Sequence, residues 1–253
     1  MARGERPRSA EQRREALKAL YSQVSSCVRC PELAATRRNV VFGSGDANAE
    51  LMFVGEAPGA REDEQGLPFV GQAGKLLDRL LAEIGLARSQ VFVANTLKCR
   101  PPSNRDPLPL EIERCRSYLY EQVALVEPKV ICTLGNFATK LLRQDDTGIT
   151  RLHGRAEVIA VGWRVVRLYP IFHPAAALYT PRMLETLRED FLKLPALLAM
   201  QAPEQAAELG GSEEPMDGMS RQQGGEDSPQ APQQAQPGER ALLGSGEAQL
   251  GLF

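Results

Sequence analysis

The chain has 253 residues, 43% hydrophobic and 25% charged, which is room for one sizeable α/β domain rather than two. Its net charge of −2 conceals an asymmetry: nine acids and two bases in residues 201–253 leave 28 bases and 23 acids in residues 1–200, a net of +5 that suits a polyanion-binding body. The charged N-terminus has no apolar signal region, and no apolar run reaches about 18 residues, so neither secretion nor a membrane span is expected and the chain is placed in the cytoplasm.

Taken in chain order, residues 1–25 are expected to form an N-terminal helical segment. Its helix runs over Glu11–Val24, with Ala16, Leu17, Leu20 and Val24 on one stripe. Leu51–Val54 is an apolar run stopped by Gly55, as a buried parallel strand would be. Gly74–Ile84 has helical spacing with Gly85 as its C-cap, and Val91–Ala94 is a second strand. Leu110–Val126 is a helix ended by Pro128, Val130–Leu134 a third strand, and Phe137–Leu142 a short helix. Val158–Val161 and Trp163–Leu168 read as a hairpin leading to Ile171-Phe172-His173, and Met183–Leu198 as a single closing helix. This order predicts an α/β fold over residues 26–200, a three-layer sandwich with helices on both faces of a central, mainly parallel sheet. Residues 201–248 form an acidic tail rich in Gln, Gly and Pro, expected to be disordered from about Ala202.

Polar segments follow three of these strands, where open α/β sheets bind ligands. They are Gly55-Glu56-Ala57-Pro58-Gly59 with the later Pro68-Phe69-Val70-Gly71, then Asn95, then His173-Pro174-Ala175-Ala176. Taken singly, each has an ordinary explanation as a turn, a helix cap or core packing. The glycines of Gly43-Ser44-Gly45 and Gly55–Gly59 also raise a nucleotide-phosphate site, although neither has the strand–loop–helix glycine spacing that such sites use. As an ordered set, together with the Arg100–Pro107 loop, the motifs closely resemble the family 4 uracil-DNA glycosylases. The resemblance extends from about Cys27 to Leu194.

The resemblance implies an enzyme that flips uracil out of single- or double-stranded DNA and hydrolyses its N-glycosidic bond, leaving an abasic site. Gly55, Glu56, Ala57, Phe69, Asn95 and His173 would form the uracil pocket. Phe69 would stack on the base, and the Asn95 amide would donate to O4 and accept from N3–H. His173 would donate to O2, where charge grows as the bond breaks. Family 1 enzymes carry an Asp where this chain has Ala57, so the water-activating carboxylate is open between Glu56 and Glu62, with Asp63 third. Glu62 is also a candidate wall against the C5 methyl of thymine. Leu178 is the candidate for a wedge into the base stack, with Tyr179 in reserve. Alternatives are a broader, family 5-like specificity and a non-catalytic iron–sulfur or zinc DNA-binding module.

Cys27 and Cys30 form a C-x2-C knuckle, joined by Cys99 and Cys115 further along the chain. Four thiolates suit either structural zinc or an iron–sulfur cluster. The resemblance implies a [4Fe–4S] cluster of structural role, and the single knuckle leans the same way. Cys132, inside the third strand, is expected to be a buried small hydrophobe. The last five residues resemble the Gln-Leu-x-Leu-Phe peptide by which bacterial repair proteins dock on the sliding clamp. Gln249, Leu250, Leu252 and Phe253 would be the contact residues. A monomer is expected.

Overall fold

The computed structural model describes residues 9–205. Its strands are β1 (Ser44–Gly45), β2 (Leu51–Gly55), β3 (Phe92–Asn95), β4 (Val130–Leu134), β5 (Glu157–Val161) and β6 (Arg164–Ile171). They form one sheet in the order β1-β3-β2-β4-β6-β5. The four central strands run parallel, and the short β1 and the hairpin strand β5 pair antiparallel at the edges. The chain steps from β2 to β3 on one side and then crosses to β4 on the other. This places a topological switch point at the carboxyl end of β2, where such sheets open a crevice.

Alternation along the strands divides the core in two. Met52, Val54, Phe92, Ala94 and Ile131 face one layer, where they meet α1 (Ala10–Ser25), α2 (Pro31–Thr36), α5 (Pro109–Val126) and α6 (Asn136–Arg143). Leu51, Phe53, Val93, Cys132 and Tyr169 face the other. That layer holds α4 (Gln72–Glu83), α8 (Pro174–Ala177), α9 (Pro181–Leu192) and α10 (Leu194–Ala199). Two short helices complete the set, α3 (Ala60–Gln65) and α7 (Ile149–Leu152). The three-layer sandwich is therefore as expected. The first helix is not an appendage, since Leu17, Leu20, Tyr21 and Val24 belong to the same core as α5. Ser9 caps it, accepting from the Gln12 N–H while the Gln12 side chain accepts from the Ser9 N–H.

β2 ends at Gly55 as expected, with Gly55 itself still in the ladder, its carbonyl accepting from Thr96 N–H at 2.9 Å. Several expectations are corrected. The single closing helix is two helices, α9 and α10, interrupted at Lys193. Pro195 has no N–H to continue the first ladder. The helices α2, α3, α7 and α8 have six residues or fewer, too short for periodicity to reveal. Gly43-Ser44-Gly45 is no phosphate loop but includes the edge strand β1, where a Cβ on Gly45 would lie 1.9 Å from the Val91 carbonyl oxygen. Residues 202–205 are ordered against the sheet. The Gln205 side chain accepts from the Val165 N–H and donates to its carbonyl, satisfying both main-chain groups of Val165. Residues 206–248 and the peptide Gln249–Phe253 lie outside the described residues.

Candidate active site

The carboxyl ends of β2, β3 and β6 converge on a cavity of about 360 Å³ lined by Glu56, Ala57, Glu62, Phe69, Asn95, Asn104 and His173, among others. The ends of β2 and β3 are stitched together beyond their pairing. Leu97 N–H donates to the Glu56 carbonyl at 3.0 Å, and the Thr96 hydroxyl donates to the same oxygen. Asn95 is 2% exposed, and its Oδ1 is buried with no hydrogen-bond partner among the described residues. An orphan acceptor of this kind costs free energy in an empty pocket unless a ligand supplies a donor.

Phe69 sits opposite, in a left-handed conformation with φ of 55°. Such a conformation is strained for a bulky residue, and three contacts hold it. Glu62 Oε1 accepts from the N–H groups of Val70 at 3.0 Å and Gly71 at 2.8 Å. Arg88 Nη2 donates to the Pro68 carbonyl at 2.7 Å. Gly74 leaves room for the bend, since a Cβ there would lie 1.7 Å from the Phe69 carbonyl oxygen. Gly55 likewise admits both walls of the pocket: its Cβ would stand 2.5 Å from Asn95 Oδ1 and 2.7 Å from Phe69 Cζ.

His173 enters from the end of β6 and caps α8, its ring 5.7 Å from that of Phe69 at an interplanar angle of 30°. The Ala175 N–H donates to His173 Nδ1 at 3.1 Å, so a neutral ring carries its proton on Nε2. Burial pulls the imidazole down to about 4, against a smaller upward pull from Glu62, and the ring is neutral near pH 7. Burial also raises the Glu56 carboxyl above its ordinary value, with Asp106 adding a smaller push.

The structure thus brings together Gly55, Glu56, Ala57, Glu62, Phe69, Asn95 and His173. Asp63, the third carboxylate candidate, is a correction. It points away from the cavity, is 3% exposed, and accepts from the N–H groups of Arg38 at 2.9 Å and Asn39 at 3.3 Å. Leu178 is half-buried against the α4/α9 core, whereas Tyr179 beside it is 90% exposed.

A second cavity, of about 20 Å³, is lined by Cys27, Cys30, Cys99 and Cys115 with Leu33, Leu97, Arg37 and Lys98. Arg37 Nη1 donates to Cys99 Sγ at 3.1 Å. Burial pushes the Cys30 and Cys99 thiols up, and Cys115 up to about 11. Among the described residues, no group of three or more His, Cys, Asp or Glu is gathered to hold a single metal ion. Cys132 lies apart from the other four, fully buried in β4.

The family model of the uracil DNA glycosylase superfamily matches residues 42–195. A Type-4 uracil-DNA glycosylase of Archaeoglobus fulgidus is 44% identical over 193 residues, covering 75% of this chain and 96% of that one. Another, from Sulfurisphaera tokodaii, is 45% identical over 185 residues, covering 71% and 84%. The chain belongs to the type-4 uracil-DNA glycosylases. A Type-5 uracil-DNA glycosylase of Pyrobaculum aerophilum is more distant, 30% identical over 185 residues, covering 61% and 80%.

Residues of this type-4 glycosylase that sequence reasoning passed over also shape the site. Pro101, Asn104 and Arg105 line the cavity from the loop after β3. In that loop Ser103 and Asn104 both have φ of 54°. Arg105 fastens it, pairing with Glu111 of α5 at 2.7 Å and Glu32 of α2 at 3.2 Å. The signal was an Asn after Pro-Pro-Ser, a residue type that tolerates left-handed backbone. Arg88 and Gln122 gave no signal, because polar residues in helical or turn segments read as surface.

Proposed function

We propose that this chain hydrolyses the N-glycosidic bond of uracil in DNA, leaving an abasic site for base excision repair. The observation that carries this reading is the buried, unpartnered Oδ1 of Asn95 between Phe69 and His173. Uracil supplies what that oxygen lacks, an N3–H donor, and its O4 accepts from the Asn95 amide N–H. Cytosine offers the reverse at both positions and would leave buried groups unpaired. Phe69 stacks on the flipped base, an interaction of roughly 1–3 kcal/mol on comparable platforms. His173, neutral and protonated at Nε2, donates to O2 as negative charge collects there. The departing sugar is oxocarbenium-like and is captured by water.

Glu56 is assigned to activate that water. Its raised carboxyl is closer to a working general base, and its side chain lines the cavity. Glu62 is occupied through Oε1 in holding the Phe69 turn, and its remaining face lines the pocket as a wall against a C5 methyl. Among the described residues the cavity lining includes no lysine, so strand cleavage through a Schiff base is not expected. Tyr179 or Leu178, just beyond α8, would enter the stack behind the flipped base, and the exposed ring of Tyr179 is the freer of the two.

The four thiols around one cavity fit a [4Fe–4S] cluster, whose irons take separate thiolates and need no single point of convergence. Cys27, Cys30, Cys99 and Cys115 would hold it. The cluster would supply a cross-link between the segment after α1, the start of α5 and the chain just after Asn95. Gln249, Leu250, Leu252 and Phe253 would dock on a sliding clamp, and the enzyme would work as a cytoplasmic monomer. The activity is tested by incubating purified protein with oligonucleotides carrying U, hypoxanthine or T. Release from U alone, with alkali-labile but uncut strands, is expected. No uracil release from single- or double-stranded substrate would sink the assignment.

A further inference from the structure

The cysteine cavity and the uracil reader are joined by a lysine that base excision itself does not account for. Lys98 is 1% exposed and lines the cysteine cavity. Its Nζ donates to the Asn95 carbonyl at 2.9 Å and to Gln122 Oε1 at 2.5 Å. Gln122, fully buried on α5, donates in turn to the Phe42 carbonyl at 2.9 Å. Among the described residues no carboxylate is paired with Lys98, and it lines one cavity with Cys27, Cys30, Cys99 and Cys115. An ammonium sealed in the interior without a counter-charge is costly, and deleting one member of a buried pair exposes that cost. Four ligating thiolates would provide the missing negative charge.

We propose that Lys98 is a positioning residue: its ammonium is the internal counter-charge of the Cys27, Cys30, Cys99 and Cys115 ligand set, and the same group holds the main chain of Asn95 in register for uracil. The arrangement explains how a cluster remote from the substrate bears on base reading. Its link to the pocket is one hydrogen bond to Asn95, braced through Gln122 to the strand-flanking segment at Phe42. The inference rests on Asn95 as the uracil reader and on the cysteines as a cluster site, and each is checked separately below.

The test compares anaerobically purified, iron-loaded wild type with Lys98→Met, Lys98→Arg, Gln122→Ala and Asn95→Ala. Readouts are cluster reduction potential by voltammetry and single-turnover excision from a uracil oligonucleotide. Lys98→Met removes a positive charge beside the cluster, which disfavours the added electron, so its potential should move negative. Its excision rate should fall about 10–100-fold, as for other supporting partners of a ligand set, with oligonucleotide affinity retained. Lys98→Arg should restore the potential. Gln122→Ala, which keeps the charge but loosens its hold, should slow excision at an unchanged potential. Should Lys98→Met prove insoluble, Gln122→Ala carries the test, and wild-type excision there overturns the proposal. So does an unmoved potential in folded Lys98→Met. Wild-type excision by Asn95→Ala, or wild type free of iron, would instead remove the reading on which the inference stands.

Discussion

Asn95 reaches the cavity with one buried oxygen that no other described residue satisfies, and His173 reaches it with one ring nitrogen already spoken for. Together they define an edge that donates, accepts and donates, which is the complement of uracil. The protonation of His173 follows from burial. Its folded value of about 4 lies below the ordinary 6.5, so between these values the unfolded chain binds a proton that the folded chain does not. The stability it contributes is fully present above 6.5 and is lost progressively as pH falls towards about 4. Single-turnover rates should therefore show no break near pH 6.5 from this residue. Their acid limb should follow Glu56, proposed as the water-activating base, whose carboxyl burial raises above its ordinary value. A rate that rises on protonation of a group near pH 6.5 would contradict the neutral imidazole. At this scale the sequence was most informative for residues directly after apolar strands, Asn95 and His173. It was least informative for Lys98 and Arg88, whose partners are the main-chain carbonyls of Asn95 and Pro68, groups that no side-chain pattern marks.

The elements explain why the pocket is tightly built. β2 carries a glycine at its last position, Gly55, because Phe69 and Asn95 occupy the space a side chain would need. Gly55→Ala should displace one wall by about an ångström and lower the excision rate by about 10²-fold while circular dichroism stays native. A wild-type rate would mean that the two walls do not close on the base. The knuckle, the loop after β3 and α5 bring the four cysteines to one cavity from well-separated stretches of chain. Substituting any of Cys27, Cys30, Cys99 or Cys115 with Ser should bleach absorption at about 400 nm and release iron, whereas Cys132→Ser should not. Stoichiometric zinc in place of iron would overturn the cluster. The long, periodic helices and the parallel strands were legible in the sequence through burial patterns. The one-turn helices α7 and α8 were not, nor was the break at Lys193, since these arise from loop geometry and capping rather than periodicity.

For the whole molecule, the four parallel strands, the switch point at β2 and the cavity beyond it form one arrangement. The N-terminal helix and residues 201–205 are packed onto the same body. The Gln249–Phe253 peptide adds a separate expectation about where the enzyme works. Calorimetric titration of a sliding clamp should show binding by the intact chain that is lost in a version ending at Ala248. Equal binding by both, or none by either, would dismiss the peptide without touching the glycosylase site.

The central claim, that Asn95 reads the uracil edge, is tested most directly by Asn95→Asp. Replacing the amide N–H₂ by a second acceptor removes the donor that O4 requires and presents an acceptor to the cytosine amino group. Excision from U- and C-containing oligonucleotides should be measured side by side for wild type and variant. Wild type should cut uracil and leave cytosine, and Asn95→Asp should lose uracil activity by about 10²–10³-fold while its preference shifts towards cytosine. An Asn95→Asp enzyme with unchanged rate and unchanged preference would contradict the account.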